Sequence, residues 1–407
     1  MKLKALMLAG IFFFLPIFAT GTPGVLAAEA GQVSALVSGN SQFAFEMYKQ
    51  ISLSDGEKNI FFSPLSISTA LGMTYAGARG ETEKQMAATM HFTLPQRELH
   101  EAFSEVSRQM KASGKGYQLN IANALWGQKG SVFSDDFLAV AKRYYEGGFN
   151  GVNFVADTEG SRQAINSWVE EKTAGKIRDL LHNGDINSLT RLVLTNAIYF
   201  KGDWAAKFDK AQTRLGLFYT GPDQTVEVPM MHQAGSFGYV ATERMEAVEL
   251  PYAGGALSMV VLLPRKGSSA SDVELTPAEM DHLLAGLSEQ KVEVLLPKFK
   301  FEARYGLSAI LCQMGMKDAF SATAADFSGI TGRPGLYISD VIHQAVIEVN
   351  EEGSEAAAAT AVIMAIKSSL GSPIPVFAAD RPFVFLIRHK PTGSILFMGR
   401  VANPTLQ

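Results

Sequence analysis

Glu348-Val349-Asn350-Glu351-Glu352-Gly353-Ser354-Glu355-Ala356-Ala357-Ala358-Ala359-Thr360-Ala361-Val362-Ile363-Met364-Ala365-Ile366-Lys367-Ser368 is the stretch on which the reading of this chain turns. It continues through Ser369-Leu370-Gly371-Ser372-Pro373-Ile374-Pro375-Val376, and between Glu355 and Asp380 the only charged side chain is Lys367. An Ala-rich core helix followed by a Gly/Pro loop is one reading, because Ala has the highest helix propensity. Against it, Thr360-Ala361-Val362-Ile363 favours a strand, and no polar stripe marks a solvent face. The mixture suits a segment that can exist as a loop and later as a central strand.

Working outward, strands dominate from about Arg191. Leu192-Val193-Leu194-Thr195-Asn196-Ala197-Ile198-Tyr199-Phe200 is a near-continuous apolar run, the pattern of a strand covered on both faces. Ala247–Leu250, the turn Pro251–Gly255 and Leu257–Leu263 follow. Lys291–Pro297 alternates as a half-exposed strand should. Val341–Val349 is a further strand, and Phe383–Ile387 with Ser394–Met398 predicts a hairpin around Lys390-Pro391-Thr392-Gly393. The first half reads as mainly helical. Apolar stripes run through Leu36, Val37, Ala44, Met47, Tyr48 and Ile51, through Leu99, Phe103, Val106 and Met110, and through Phe137, Val140, Ala141 and Tyr144. Another helix covers about 161–173, with Ile165, Trp168 and Val169 inward. Ser63-Pro64 is a helix start, with Ser as N-cap and Pro at the first helical position. Helices followed by strands, without regular βαβ alternation or an internal repeat, indicate an α+β fold.

The 407 residues are 47% hydrophobic and 19% charged, enough for a large core. The formal net charge of −4 shows no basic excess, so composition gives no support for nucleic-acid binding. At the N-terminus Lys2 and Lys4 precede an apolar run from Ala5 to Phe18, followed by Gly21, Pro23 and Val25-Leu26-Ala27-Ala28. This pattern predicts a signal peptide over 1–28, cleaved near Ala27 or Ala28, and a secreted protein, periplasmic in a bacterium. The run is shorter than the roughly 20 residues a membrane span needs, and no membrane association is expected. The lone Cys312 reads as a small buried residue, and Asn403 is no glycosylation acceptor because Pro404 follows it. Enzyme motifs such as GxSxG, HExxH and the P-loop are absent from the sequence. The seven histidines, His91, His100, His182, His232, His282, His343 and His389, form no close pair. The chain is therefore expected to be no enzyme, with no metal site and no cofactor.

The segment from Glu348 to Thr360 resembles the hinge of inhibitory serpins almost letter for letter. Asp380-Arg381-Pro382-Phe383-Val384-Phe385, Phe397-Met398-Gly399-Arg400-Val401 with Pro404, Asn59–Ile67, Asn166-Ser167-Trp168-Val169 and Thr195–Trp204 are further matches in the same order. The resemblance covers nearly all of the chain after residue 28. It implies a single serpin domain over 29–407, with three β-sheets, about nine helices and an exposed reactive-centre loop at about 353–376. It also implies a mechanism. A protease attacks the loop as a substrate and is acylated, and the freed loop inserts into the central sheet and traps the enzyme.

In the family's register, the hinge comprises Glu351, Gly353, Ser354, Glu355, Ala356, Ala357, Ala358, Ala359 and Thr360. Ser354, Ala356, Ala358 and Thr360 face inward on insertion and Glu355 faces solvent. Small inward residues suit rapid burial, since each inward charge would face a large desolvation cost. The family's spacing places the reactive bond at Lys367–Ser368, and Lys367 is also the loop's only base. That points to a trypsin-like protease, whose specificity pocket carries an acidic group. Cleavage at Met364, Ile366 or Leu370, with Lys367 a solubilising charge, is the plainer alternative.

Ser63, Ser66, Asn196 and His343 match the family's shutter, where strands part. Trp204 matches the breach, where insertion starts, and Lys298 with Glu351 matches an ion pair beside the loop. A non-inhibitory serpin (a carrier, chaperone or storage protein) is a second function, and inhibition of cysteine proteases a third. Arg97, Arg108 and Lys111 alternate with Glu98, Glu101 and Glu105, so no glycosaminoglycan dependence is expected. The expected partner is the target serine protease, met by a monomer.

Overall fold

The computed structural model describes residues 23–112, 116–145, 148–266, 275–354 and 374–406. The helices are α1 (Pro23–Asp55), α2 (Pro64–Tyr75), α3 (Gly80–Met90), α4 (Gln96–Ala112), α5 (Asp135–Tyr145), α6 (Thr158–Lys172), α7 (Pro277–Gly286), α8 (Ser308–Gln313) and α9 (Ser328–Thr331). The strands are β1 (Ile60–Phe62), β2 (Tyr117–Gln128), β3 (Phe149–Val152), β4 (Leu192–Asp203), β5 (Arg214–Gly221), β6 (Gln224–Ala241), β7 (Met245–Pro251), β8 (Leu257–Pro264), β9 (Ser288–Pro297), β10 (Phe299–Gly306), β11 (Asp340–Val349), β12 (Gly353–Ser354), β13 (Val376–Ala378), β14 (Phe383–His389) and β15 (Ile395–Val401). The class is α+β.

Helix α2 is capped as the sequence predicts: the Ser63 side chain accepts from the Ser66 N–H and Pro64 occupies the first turn. Nearly every residue of α2 is buried, because it lies inside the core rather than on its surface. Helix α1 runs without a break from Pro23 through Ala27 and Ala28. Pro23, read from sequence as a helix breaker, instead opens α1, where its missing N–H costs nothing.

One sheet has the order β10-β11-β4-β2-β3, with β12 added beside β4. The other has the order β1-β15-β14-β8-β7-β6-β9-β13, with β5 beside β6. The 18-residue strand β6 joins two groups in the larger sheet. It pairs β9 from Met230 to Tyr239 and β7 from Gly238 to Ala241. Divided at this joint, the strands form the three sheets that the resemblance implies. The hairpin β14–β15 turns at the expected place.

Strand β4 is covered on both faces. Leu192, Leu194, Ile198 and Phe200 enter the main core, whereas Val193 and Ala197 enter a second core beneath α6. The period of two along a strand makes these opposite faces. The second core is built by Trp126, Phe154, Ile165, Val169, Ile177, Leu180 and Leu181. Cys312 is half-buried, not fully buried as expected, with Sγ 3.8 Å from the Met316 carbonyl oxygen. On α8 it is the neighbouring Leu311 that points into the core.

Candidate functional site: hinge, seam and buried network

Strands β4 and β11 run parallel and are paired from Asp340↔Val193 to Val346↔Tyr199. At the head of this seam β11 ends, and the chain turns back through Asn350–Glu352. Asn350 N–H donates to the Gly353 carbonyl at 2.9 Å, and Gly353 N–H returns a bond to Asn350 at 3.2 Å. The chain then lays Gly353 and Ser354 antiparallel to β4, opposite Asp203 and Gly202. Gly353 has φ +149°, and a Cβ there would stand 2.1 Å from the Gly202 carbonyl oxygen. Only glycine fits so close an approach at that backbone angle.

Trp204, at the end of β4, holds the turn. Its indole N–H donates to the Asn350 carbonyl at 2.9 Å, and its backbone N–H to the Glu352 carbonyl at 2.9 Å. Tyr252 stacks on Trp204 with centroids 4.7 Å apart, and its hydroxyl lies 2.9 Å from the Ser354 hydroxyl. Both Tyr252 and Ser354 have no exposed surface. Burial pushes the Tyr252 phenol well up, so it stays protonated and able to donate.

Two acidic residues in the turn are fixed by lysines. Glu351 meets Lys298 at 2.9 Å and accepts from the Thr213 hydroxyl at 2.9 Å. Burial alone would raise its carboxyl. The bonds from Lys298, its own backbone and Thr213 outweigh burial and hold it below the usual range. Glu352 is bonded to Lys207 at 2.7 Å and Lys210 at 2.9 Å, which also depress its carboxyl.

Lower in the seam a buried polar network ties five elements together. His343 on β11 accepts at Nε2 from the Ser63 N–H at 3.1 Å, so Nδ1 carries the proton and donates to Asn196 Oδ1 on β4. Asn196 Nδ2 donates to the Ser66 hydroxyl at 2.7 Å and to Asn123 Oδ1 on β2. Ser66 Oγ reaches the same Asn123 oxygen at 3.1 Å, and Ser63 Oγ donates to the Leu396 carbonyl on β15 at 2.6 Å. Tyr305 lies parallel to the His343 ring at 6.4 Å. Burial lowers the His343 pKa to about 3, so the ring is neutral at ordinary pH. Every member has a partner, as buried polar groups require.

A profile of the serpin family (serine protease inhibitor) matches residues 38–404. The chain is a serpin. It is 40% identical to leukocyte elastase inhibitor A of Rattus norvegicus over 91% of this chain and 99% of that one. It is also 40% identical to serpin B6 of Macaca fascicularis over 91% and 100%. The solved structure of human thyroxine-binding globulin superposes with a TM-score of 0.84 at 33% identity, covering 92% of this serpin and all of that chain.

The same comparisons correct one expectation. The alignments with the elastase inhibitor and serpin B6 use 379 and 380 residues and take up 99% and 100% of those relatives. That leaves no length in either for a leader. The secreted or periplasmic location read from residues 1–28 is therefore withdrawn. The physical source of the error is Pro23-Gly24 and the alanines after it, which form the first turns of α1.

Of the residues singled out in the sequence, Glu351, Gly353, Ser354, Trp204 and Lys298 gather at the head of the seam of this serpin. Ser63, Ser66, Asn196 and His343 gather in the network below. Glu355, Ala356, Ala357, Ala358, Ala359, Thr360, Lys367 and Ser368 lie outside the described residues. The chain is described again from Ile374, and β13 pairs parallel to β9. Sequence reasoning missed Asn123, Thr213, Tyr252 and the Glu352 lysines. Asn123 sits on β2, whose alternation of Leu119, Ile121, Asn123 and Leu125 was available as a strand signal. Tyr252 sits in a turn and carried no local signal.

The neutral His343 makes stability depend on pH. Its folded pKa lies below the ordinary 6.5, so the unfolded chain binds a proton first as pH falls. Stability is complete above about pH 6.5 and is lost progressively toward pH 3. Burial also lowers His100, to about 4, and His389, so they contribute in the same direction. Between pH 7 and pH 5 the loss in unfolding free energy is expected to be smaller in His343→Gln by about 2 kcal/mol. Urea titrations at the two pH values measure it, and parallel losses in both proteins would refute the assignment.

Proposed function

We propose that this serpin is a one-use inhibitor of trypsin-like serine proteases, offering Lys367–Ser368 as the bond attacked. The observation that carries the reading is the placement of Gly353 and Ser354, already paired to β4 at the head of the β4–β11 seam. Continuing that antiparallel register sets Ala356 opposite Phe200, Ala358 opposite Ile198 and Thr360 opposite Asn196. Those three β4 residues are fully or nearly fully buried, so only short side chains can enter beside them without large rearrangement. The threonine hydroxyl would arrive beside the Asn196 amide, where a buried hydroxyl finds a partner.

The protease serine attacks the carbonyl carbon of Lys367. The bond to Ser368 breaks, and the Ser368 amine leaves with a proton from the protease histidine. The lysyl ester then remains as residues 355 onward enter the seam. A strand of about 14 residues spans roughly 45 Å, so the acylated protease is carried far from its docking position. The pairs from Asp340↔Val193 to Val346↔Tyr199 part, and each strand regains a partner in the new one. The inhibitor acts as a monomer and needs no cofactor for this sequence of events.

The likeness to thyroxine-binding globulin favours a carrier as the second reading. The run of alanines after Ser354 speaks for insertion instead. Mixing the protein with trypsin and running denaturing gels separates the two. A complex that survives denaturation, with a released peptide beginning at Ser368, is the expected result. A complex with another start keeps the trap and moves the bait, whereas clean cleavage without a complex overturns the inhibitor reading.

A further inference from the structure

The segment 173–190, between α6 and β4, crosses the seam that the loop would enter. Ile177, Leu180 and Leu181 have no exposed surface and pack with Val193 and Ala197 of β4 and Ile342 of β11. On one side the strap is tied to α6. Asn166 Nδ2 donates to the Leu181 carbonyl at 2.9 Å, and Asn166 Oδ1 accepts from the Leu181 N–H at 2.8 Å. On the other side it is tied to β10, which lies beyond β11. Arg304 Nε donates to the Leu180 carbonyl at 2.7 Å, and its guanidinium pairs with Asp185. Asp185 in turn accepts from the His182 N–H at 2.6 Å.

The strap is thus fastened on both sides of one seam. Neighbouring strands stand about 4.8 Å apart, so a strand entering between β4 and β11 moves β10 away from α6 by about that distance. No hydrogen bond survives such a displacement. In the register set by Ser354, Ala357, Ala359 and Ala361 come to lie opposite Tyr199, Ala197 and Thr195. That is the face carrying Ala197, the face the strap covers. One of the two attachments must open before the strand can pass. The Asn166 attachment is a two-way bond within one unit of the second core. The Arg304 attachment is a side chain about one-fifth exposed reaching across the seam.

We infer that Arg304 is a positioning residue for strand insertion: its bonds to Asp185 and the Leu180 carbonyl clasp the strap across the β4–β11 seam and set how fast the sheet opens. The inference rests on the insertion reading above. Charge-assisted hydrogen bonds are the strong ones, so releasing the clasp removes a barrier and not merely a surface contact.

The test uses the full chain and a labelled synthetic peptide with the sequence of residues 353–364, whose uptake into the sheet is followed on native gels without any protease. Arg304→Ala and Asp185→Asn are each expected to take up the peptide about tenfold faster than the unaltered protein, the effect of one charge-assisted bond. The double variant is expected to be no faster than either single one, because both changes open the same clasp. Circular dichroism checks folding. Asp185→Asn, which keeps the side-chain shape, carries the test if Arg304→Ala folds poorly. Equal uptake rates in all proteins would overturn the clasp while leaving insertion intact. Gains that multiply to about a hundredfold in the double variant would overturn it as well. Uptake by none of them would overturn the clasp and the insertion reading together.

Discussion

Arginine in place of Ser354 is expected to turn the trap into a substrate. The Ser354 side chain has no exposed surface, its hydroxyl is 2.9 Å from that of Tyr252, and Tyr252 is itself sealed beneath Trp204. A guanidinium there has no acidic partner within the aromatic pair. Burying an unpaired charge costs several kcal/mol even after relaxation. The loop would leave β4 at its first rung, and insertion would have to begin by driving that charge between β4 and β11. Deacylation competes with insertion, so a delay of a few kcal/mol in the first step, a hundredfold or more in rate, favours release of the protease. Trypsin should therefore cleave Ser354→Arg at Lys367 and depart, with stoichiometry rising many-fold. Ser354→Ala, which is smaller and uncharged, should still trap. Were Ser354→Arg to form the denaturant-resistant complex with unchanged stoichiometry, the register proposed for insertion would be wrong.

Asn196→Ala is expected to produce the largest loss of stability. Asn196 accepts a hydrogen bond from His343 Nδ1–H, donates to Ser66 and Asn123, and is fully buried. Removing it strands the His343 Nδ1–H and weakens the tie between β4, β11, β2 and the start of α2. Each buried polar group left without a partner costs about 1–3 kcal/mol, so the sum is on the order of 4 kcal/mol. Urea denaturation measures it. The same change loosens the seam below the hinge, and the variant should lose inhibitory activity on standing at 37 °C as loops insert without cleavage. A variant within 1 kcal/mol of the unaltered protein, or one that keeps its activity on standing, would remove the network from the mechanism. Asn123→Ala, which touches only the rim of the network, should show the same loss to a smaller degree.

Much of this architecture could be read locally. Ser63-Pro64 starts α2 because a hydroxyl cap and a proline that needs no N–H partner are local chemistry. The unbroken apolar run 192–200 announces a strand covered on both faces, and β4 has a core on each side. The location was inferred from an equally local pattern. Proline and small residues after an apolar run look the same whether they end a signal or begin a helix, and α1 begins there. Asn123 went unseen because its importance lies in Asn196 and Ser66, residues remote from it in the chain.

The sequence by itself determined the α+β class, the start of α2 at Ser63-Pro64, the strand that divides the two cores and the run of small residues after Ser354 with a single base downstream. These follow from propensity, periodicity and charge, which each segment carries wherever it is placed. Only the tertiary structure decided that Ser354 lies against Tyr252, that Gly353 must be glycine because of Gly202, that His343 is neutral with its proton on Nδ1, and that Arg304 reaches across the seam to Asp185. Those facts depend on which distant groups share a buried space. Desolvation and hydrogen-bond geometry act over a few ångströms in space, and the linear order of residues does not encode that distance.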